Sequence, residues 1–247
     1  MRRIPERSRN RNRRNAKQAV LIRLEKEAAT LYRRLTSHRP PSISVGFYPY
    51  AGLRHTVKKK EEALQVRISD ILEKAPFPVL SAVSCLLLHK LFKLKAPGEV
   101  KRLYGSYVHR ASIVEHTNRV RRLRGRKCFS GPAGKHFDLQ TLFDELNETF
   151  FNNELEVEQL SWSSGSSRRT LGHFDPAYNA IVLSRALDRE DVPQHVISFI
   201  LYHEMLHVFL GETIRQGKRY KHHRRFRAAE RDFPAYEEAV RFIEKEF

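Results

Sequence analysis

The residues with the clearest chemical potential lie in the run LYHEMLHVFLGE, residues 201–212, which sets His203, Glu204 and His207 among apolar neighbours. Residues four apart on a helix are displaced by about 40° and one turn, so His203 and His207 project from one face. Two imidazoles so placed reach a single ion at about 2.0–2.1 Å per bond. Glu204, about 100° round the helix from His203, stands beside that ion, where a carboxylate takes a proton from activated water. With 12 His in the chain, the spacing alone is only suggestive. The flanks sharpen it. Tyr202, Met205, Leu206, Val208, Phe209 and Leu210 make the run nearly all apolar, and burying His, Glu and His there is costly unless each is satisfied. The competing reading is a core helix that happens to contain two histidines.

A hydrolytic zinc site takes a third protein ligand and leaves a fourth position for water. Downstream, YKHHRRFRAAERDF offers His222 and His223; the bland alternative is a basic surface patch in which neither takes part. The two cysteines, Cys85 and Cys128, are too few for a disulfide framework or a four-cysteine zinc site. They point to a reducing compartment, so a cytoplasmic location is expected, with nucleoid or chromatin association open.

These residues need elements to hold them. Asp191 is expected to cap a helix that carries Pro193 in its first turn, runs to Leu210 and stops at Gly211. That places the His–Glu–His run in the helix's last three turns. Upstream, FDLQTLFDELNETFF puts Leu139, Leu142, Phe143, Leu146 and Phe150 at helical spacing, with Asp138 as N-cap. LEVEQLSW alternates as a strand does, and RRTLGHFDP and NAIVLS read as two more strands joined at Asp175-Pro176. The strand around Leu171, Gly172 and His173 has two readings, a core strand or an edge that pairs with an extended substrate. Trp162 reads as core. Tyr220 and His223 are candidates to stabilise an oxyanion.

Breakers divide the rest. RPPSIS at 39–44 and the linker GRKCFSGPAGK at 125–135 bound three segments: an arm and helix over 1–40, a lobe and linker over 41–130, and a C-terminal domain over 131–247. The first 15 residues lack apolar periodicity and read as a disordered arm. Val20, Leu21, Leu24, Ala28, Leu31 and Leu35 then share a helical face.

The formal net charge of +18 concerns partners rather than fold. Residues 1–40 hold 13 Lys/Arg against 3 Glu, residues 101–127 hold 9 against 1, and residues 215–231 hold 8 against 1. Three such runs favour nucleic acid over mere solvated surface. No apolar run reaches the roughly 18 residues that a membrane span needs. MRRIPERSRNRNRRN has no apolar core of a secretory signal, and its scarcity of Ser argues against an organellar transit segment.

Residues 137–233 resemble the SprT-like metallopeptidases, the group that includes the Spartan proteases. The features that carry the resemblance are the opening helix LQTLFDELNETFF, the strand LSWS, the pair TLGHFD and NAIVLS, the helix VISFILYHEMLH and a later H-x-x-x-F. The resemblance implies an α+β, zincin-like metallopeptidase domain, built of a small sheet and the H-E-x-x-H helix. It implies bound Zn2+, peptidase activity on protein substrates and association with DNA. It also implies His222, four residues before Phe226, as third ligand, with His223 the competitor. No Cys-rich zinc ribbon follows the site, so nucleic-acid binding falls to the basic segments.

The α/β lobe at 41–130 reads as a degenerate duplicate. GLRHTVKKKEEALQVRISDIL followed by VLSAVSCLLLHKLF echoes the later strand pair and helix. Ser69 aligns with Ser184 and His89-Lys90 with His203-Glu204, and Lys93 falls where His207 would be. Two other functions stay open beside zinc peptidase. One is a polyanion-binding protein with a structural zinc site; the other is a zinc hydrolase with a non-protein substrate.

Overall fold

The structure, a computed structural model, describes residues 6–247, with side chains from residue 14 onward. The chain divides into two units. One ends at Arg124 and takes in Gln216–Lys218; the other comprises Gly125–Arg215 and Arg219–Phe247.

In the first unit α1 (Glu6–Thr36) precedes β1 (Ser42–Tyr48), β2 (Thr56–Lys60) and β3 (Ala63–Ser69), then α2 (Phe77–Leu91), α3 (Gly98–Val108) and α4 (Ala111–Arg124). The disordered arm expected over residues 1–15 is helical from Glu6 on, and residues 1–5 lie outside the described residues. Leu24, Ala28 and Tyr32 of α1 are buried with Leu64, Val66 and Ile68 of β3 and Val79, Leu80, Val83 and Leu88 of α2. The amphipathic helix thus lays its apolar stripe on this core. β3 is the central strand, parallel to β1 and antiparallel to β2.

In the second unit α5 (Leu139–Phe151) precedes β4 (Gln159–Trp162), β5 (Gly172–Asp175) and β6 (Ala180–Leu183). Next come α6 (Gln194–Leu210), β7 (Thr213–Arg215), β8 (Lys218–Tyr220), α7 (Arg224–Arg231) and α8 (Tyr236–Glu246). Asp138 caps α5, its carboxylate accepting from the amides of Gln140 and Thr141. All four residues of β6 are buried, as expected of a central strand covered on both faces. Trp162 is 1% exposed and belongs to this core. The strands are shorter than the alternation suggested: the first starts at Gln159 rather than Leu155, because Leu155 is instead bonded to the Asn147 side chain. The linker is fastened too. Lys127 sets its ammonium 2.8 Å from the buried Asp175 carboxylate.

The helix that carries His203 starts two residues later than expected. Pro193, not Asp191, is its N-cap, with φ −64° and ψ 142° and no side-chain cap bond. Asp191 pairs with Arg189 at 3.0 Å instead. Gly211 ends the helix at φ 63°, a backbone state that favours glycine.

Both units follow one local plan. The orders are β1-β3-β2 and β4-β6-β5, each with one parallel and one antiparallel pair. At the end of β3 and directly after β6 stands a buried serine whose hydroxyl donates to a preceding carbonyl: Ser69 to Gly52 at 3.0 Å, Ser184 to Ser167 at 2.6 Å. A short 3-10 turn follows, Asp70–Leu72 or Arg185–Leu187, and then a helix with proline at its N-cap. Counted from Pro76 and Pro193, the positions of His203, Glu204 and His207 are held by Leu86, Leu87 and Lys90. That corrects the alignment read from sequence. His89 is a core histidine bonded to the Cys85 carbonyl at 2.8 Å, and Lys93, at φ 57°, lies beyond the end of α2.

No helix among the described residues is long and apolar enough to cross a membrane.

Candidate metal centre

α6 buries nine residues around its circumference, from Val196 to Leu206, and keeps His203 and His207 half-exposed on one side. α7 closes against that side. Phe226, fully buried, lies 5.0 Å from the His203 ring, 4.6 Å from His207 and 4.8 Å from His222. The Tyr202 hydroxyl donates to the Ala229 carbonyl at 2.8 Å and fixes α7 on α6. An apolar ring thus backs three imidazoles.

His203, His207 and His222 each offer a ring nitrogen within 4.8 Å of the others, and they form the metal-capable group among the described residues. Nε2 of His207 and Nε2 of His222 stand 3.2 Å apart. Two nitrogens bonded to one tetrahedral ion at about 2.0–2.1 Å are separated by about 3.3 Å, so the pair fits a shared zinc. His203 Nδ1 lies 2.6 Å from Oε1 of Glu230. A carboxylate only accepts, so Nδ1 carries the proton and Nε2 keeps its lone pair for an ion. Burial, then the neighbouring His203 and His222, push His207 down to about 3, and burial and His203 lower His222 as well. Both are neutral near pH 7, as metal ligands must be. Burial acts to raise Glu230, but the hydrogen bond from His203 and the nearby imidazoles outweigh it and hold it below the usual carboxylate range.

Glu204 is 5% exposed. Burial raises its pKa, against the opposing pull of His203 and of a hydrogen bond from the Phe174 amide. It points at β5. A Cβ on Gly172 would stand 2.9 Å from Glu204 Oε1 and 3.0 Å from its Cγ, so only glycine lets the strand approach this closely. A cleft of about 480 Å³ opens here, walled by Leu171, Gly172, Ile200, His203, Glu204 and Val240.

His223 does not join the cluster; it is the N-cap of α7, its Nδ1 accepting from the Phe226 amide. His173 is exposed on β5, 3.2 Å from the Lys127 ammonium. Tyr220 is 46% exposed on β8. Glu230 was not singled out from sequence, although its spacing of four from Phe226 puts both on one face of α7.

Fold and site together define an α+β unit with a three-histidine metal-capable centre. Residues 139–240, in the C-terminal half of the chain, match the model of the SprT-like family. That match is consistent with a metallopeptidase-like domain. No curated protein and no solved structure matches the chain.

Proposed function

We propose that residues 131–247 form a zinc-dependent peptidase of H-E-x-x-H type that acts on nucleic-acid-associated proteins, with 1–40 a basic arm and helix and 41–130 a non-catalytic lobe. The observation that carries the reading is a buried carboxylate, Glu204, beside three convergent imidazole nitrogens but outside the ligand group. A purely structural zinc site has no use for such a base and commonly employs cysteine.

His203, His207 and His222 would hold the ion. Bound zinc supplies Lewis-acid charge at a scissile carbonyl and makes water a nucleophile near neutral pH. The remaining work falls to the protein. Glu204, raised by burial, receives the proton of the attacking water and returns it to the departing amine. β5, at the end of its sheet, offers main-chain groups to an extended substrate over Leu171–His173. The adjoining cleft accepts one side chain. Glu230 holds the His203 ring in the orientation that presents Nε2.

Nucleic acid is the proposed second partner. The charge of +18 supports this, as do Arg224, Arg227 and Arg231, which together line a cleft beside His222. A weak general peptidase tethered to nucleic acid meets chiefly the proteins lodged there. The lobe at 41–130 is read as a degenerate copy of the metal-binding unit, supported by the shared strand order, serine hydrogen bond and proline cap. With Leu86, Leu87 and Lys90 at the corresponding positions, it has no ligand set.

The test is cleavage of casein or histone by the zinc-loaded chain, with and without DNA, beside Glu204→Gln. Gln keeps the shape but cannot take the proton, so metal content should stay and turnover fall by about 10²–10⁴-fold. A Glu204→Gln chain that cleaves like the wild type overturns the mechanism.

A further inference from the structure

The first unit has its own cleft where the second has its metal centre. In β5, Gly172 stands opposite Leu183, the residue before Ser184. The residue before Ser69 is Ile68, and the pairing of Thr56 with Arg67 brings His55 opposite it. His55 therefore takes the place of Gly172. Counted from the two prolines, Val83, Leu86 and Leu87 take the places of Ile200, His203 and Glu204. These four residues, with Arg54 and Tyr104, line a cleft of about 350 Å³. Leucines stand where the second unit has His203 and Glu204, and Lys90, at the position of His207, is not among the lining residues, so the cleft suits an apolar group.

One polar feature remains inside it. His55 Nδ1 accepts from the Ser69 amide at 3.0 Å, so in the neutral ring Nε2 carries the proton and donates to the Tyr104 hydroxyl oxygen at 3.0 Å. The phenol's own proton is left to donate to an acceptor such as a peptide carbonyl. Directly after His55 runs β2, at the end of its sheet. An edge strand leaves alternate N–H and C=O groups unpaired on its outer side. Lys58, Lys59 and Lys60 on this strand are exposed, and Lys58 and Lys60 share a face. A row of alternating donors and acceptors matches another polypeptide backbone; a phosphate chain offers acceptors only. The lysines and Arg54 set the charge that the polypeptide must carry.

We propose that the first unit binds an extended acidic peptide, added to the three-stranded sheet along β2, with one apolar side chain in the cleft and carboxylates against Lys58 and Lys60. The site needs no metal and does not depend on hydrolysis in the second unit.

The experiment is fluorescence anisotropy with the full chain, in the presence of a chelator so that cleavage plays no part. The probe is a fluorescein-labelled peptide alternating Glu and Thr, with one central Leu. Saturable binding is expected, and none of the counterpart with Lys for Glu. Lys58→Glu with Lys60→Glu, exposed changes that leave the core alone, should weaken binding about tenfold or more. Leu86→Asp should do the same by charging the cleft. Methylating alternate peptide nitrogens in the probe should abolish binding, because it removes the strand hydrogen bonds. No saturable binding, or binding indifferent to methylation and to both variants, overturns the proposal. Equal competition by a duplex DNA, lost with the same substitutions, would instead make this a nucleic-acid surface.

Discussion

Nδ1 of His203 and Oε1 of Glu230 lie 2.6 Å apart although 27 residues separate them in the chain. The pair settles which nitrogen of His203 faces the other two imidazoles. Glu230→Gln keeps the size but weakens the acceptor, and Glu230→Ala removes it. Partners of this kind contribute about 10–100-fold to metal affinity, so zinc affinity measured against a chromophoric chelator should fall by that order in Glu230→Ala and less in Glu230→Gln. Unchanged affinity in both would make the contact incidental.

His222 and His223 should separate cleanly. His222→Ala removes one of three convergent nitrogens and should lose zinc on dialysis. His223→Ala removes an α7 cap contact and should cost about 1 kcal/mol of stability while zinc stays. Metal analysis of the two proteins decides the matter, and a reversed order would reassign the ligand.

Gly172→Ala puts a methyl 2.9 Å from Glu204 Oε1. Either β5 retreats or Glu204 turns away, and both disturb the base without touching a ligand. Peptidase turnover should fall at least about tenfold, since misplacing a base by about 1 Å costs up to 10²-fold, with zinc content intact. Full activity with full zinc would show that Glu204 need not hold this position.

Acid should weaken the first unit through His55. Burial pushes His55 down to about 4 from the ordinary 6.5. Between those values the unfolded chain binds a proton that the folded chain does not, so stability falls as pH drops through the window and is regained above it. The full effect is about 3 kcal/mol. Denaturation of the metal-free chain at pH 4.5 and 7.5, wild type beside His55→Asn, checks it. The variant keeps an acceptor for the Ser69 amide and should lose less stability on acidification.

Nucleic-acid binding should be steep in salt and indifferent to base sequence. If about six phosphates are neutralised, log affinity against log salt has a slope of about −5 on duplex. Deleting residues 1–15, which hold seven of the arginines, should flatten that slope and leave zinc in place. Titration on random duplex and random single strand measures both. A salt-independent affinity would remove nucleic acid as partner.

What the sequence by itself determined is what depends on local periods. The one-face placement of His203 and His207 follows from the pitch of a helix. The Asp138 cap, the Gly211 stop and the three-strand pattern before α6 follow from short-range backbone chemistry. Tertiary structure decided what depends on where distant segments meet. His222 and His223 are neighbours of like chemistry, and only the docking of α7 on α6 through Phe226 turns one to the cluster and makes the other a cap. Glu230 looks like any helical surface acid until α7 is packed beside His203. Residue types echo one another between the units, but the register that sets Leu86 and Leu87 where His203 and Glu204 stand is counted from the helix caps. Spacing along the sequence shifted it, because the turns between the serines and the prolines differ in length, and a helix converts such a shift into a different face.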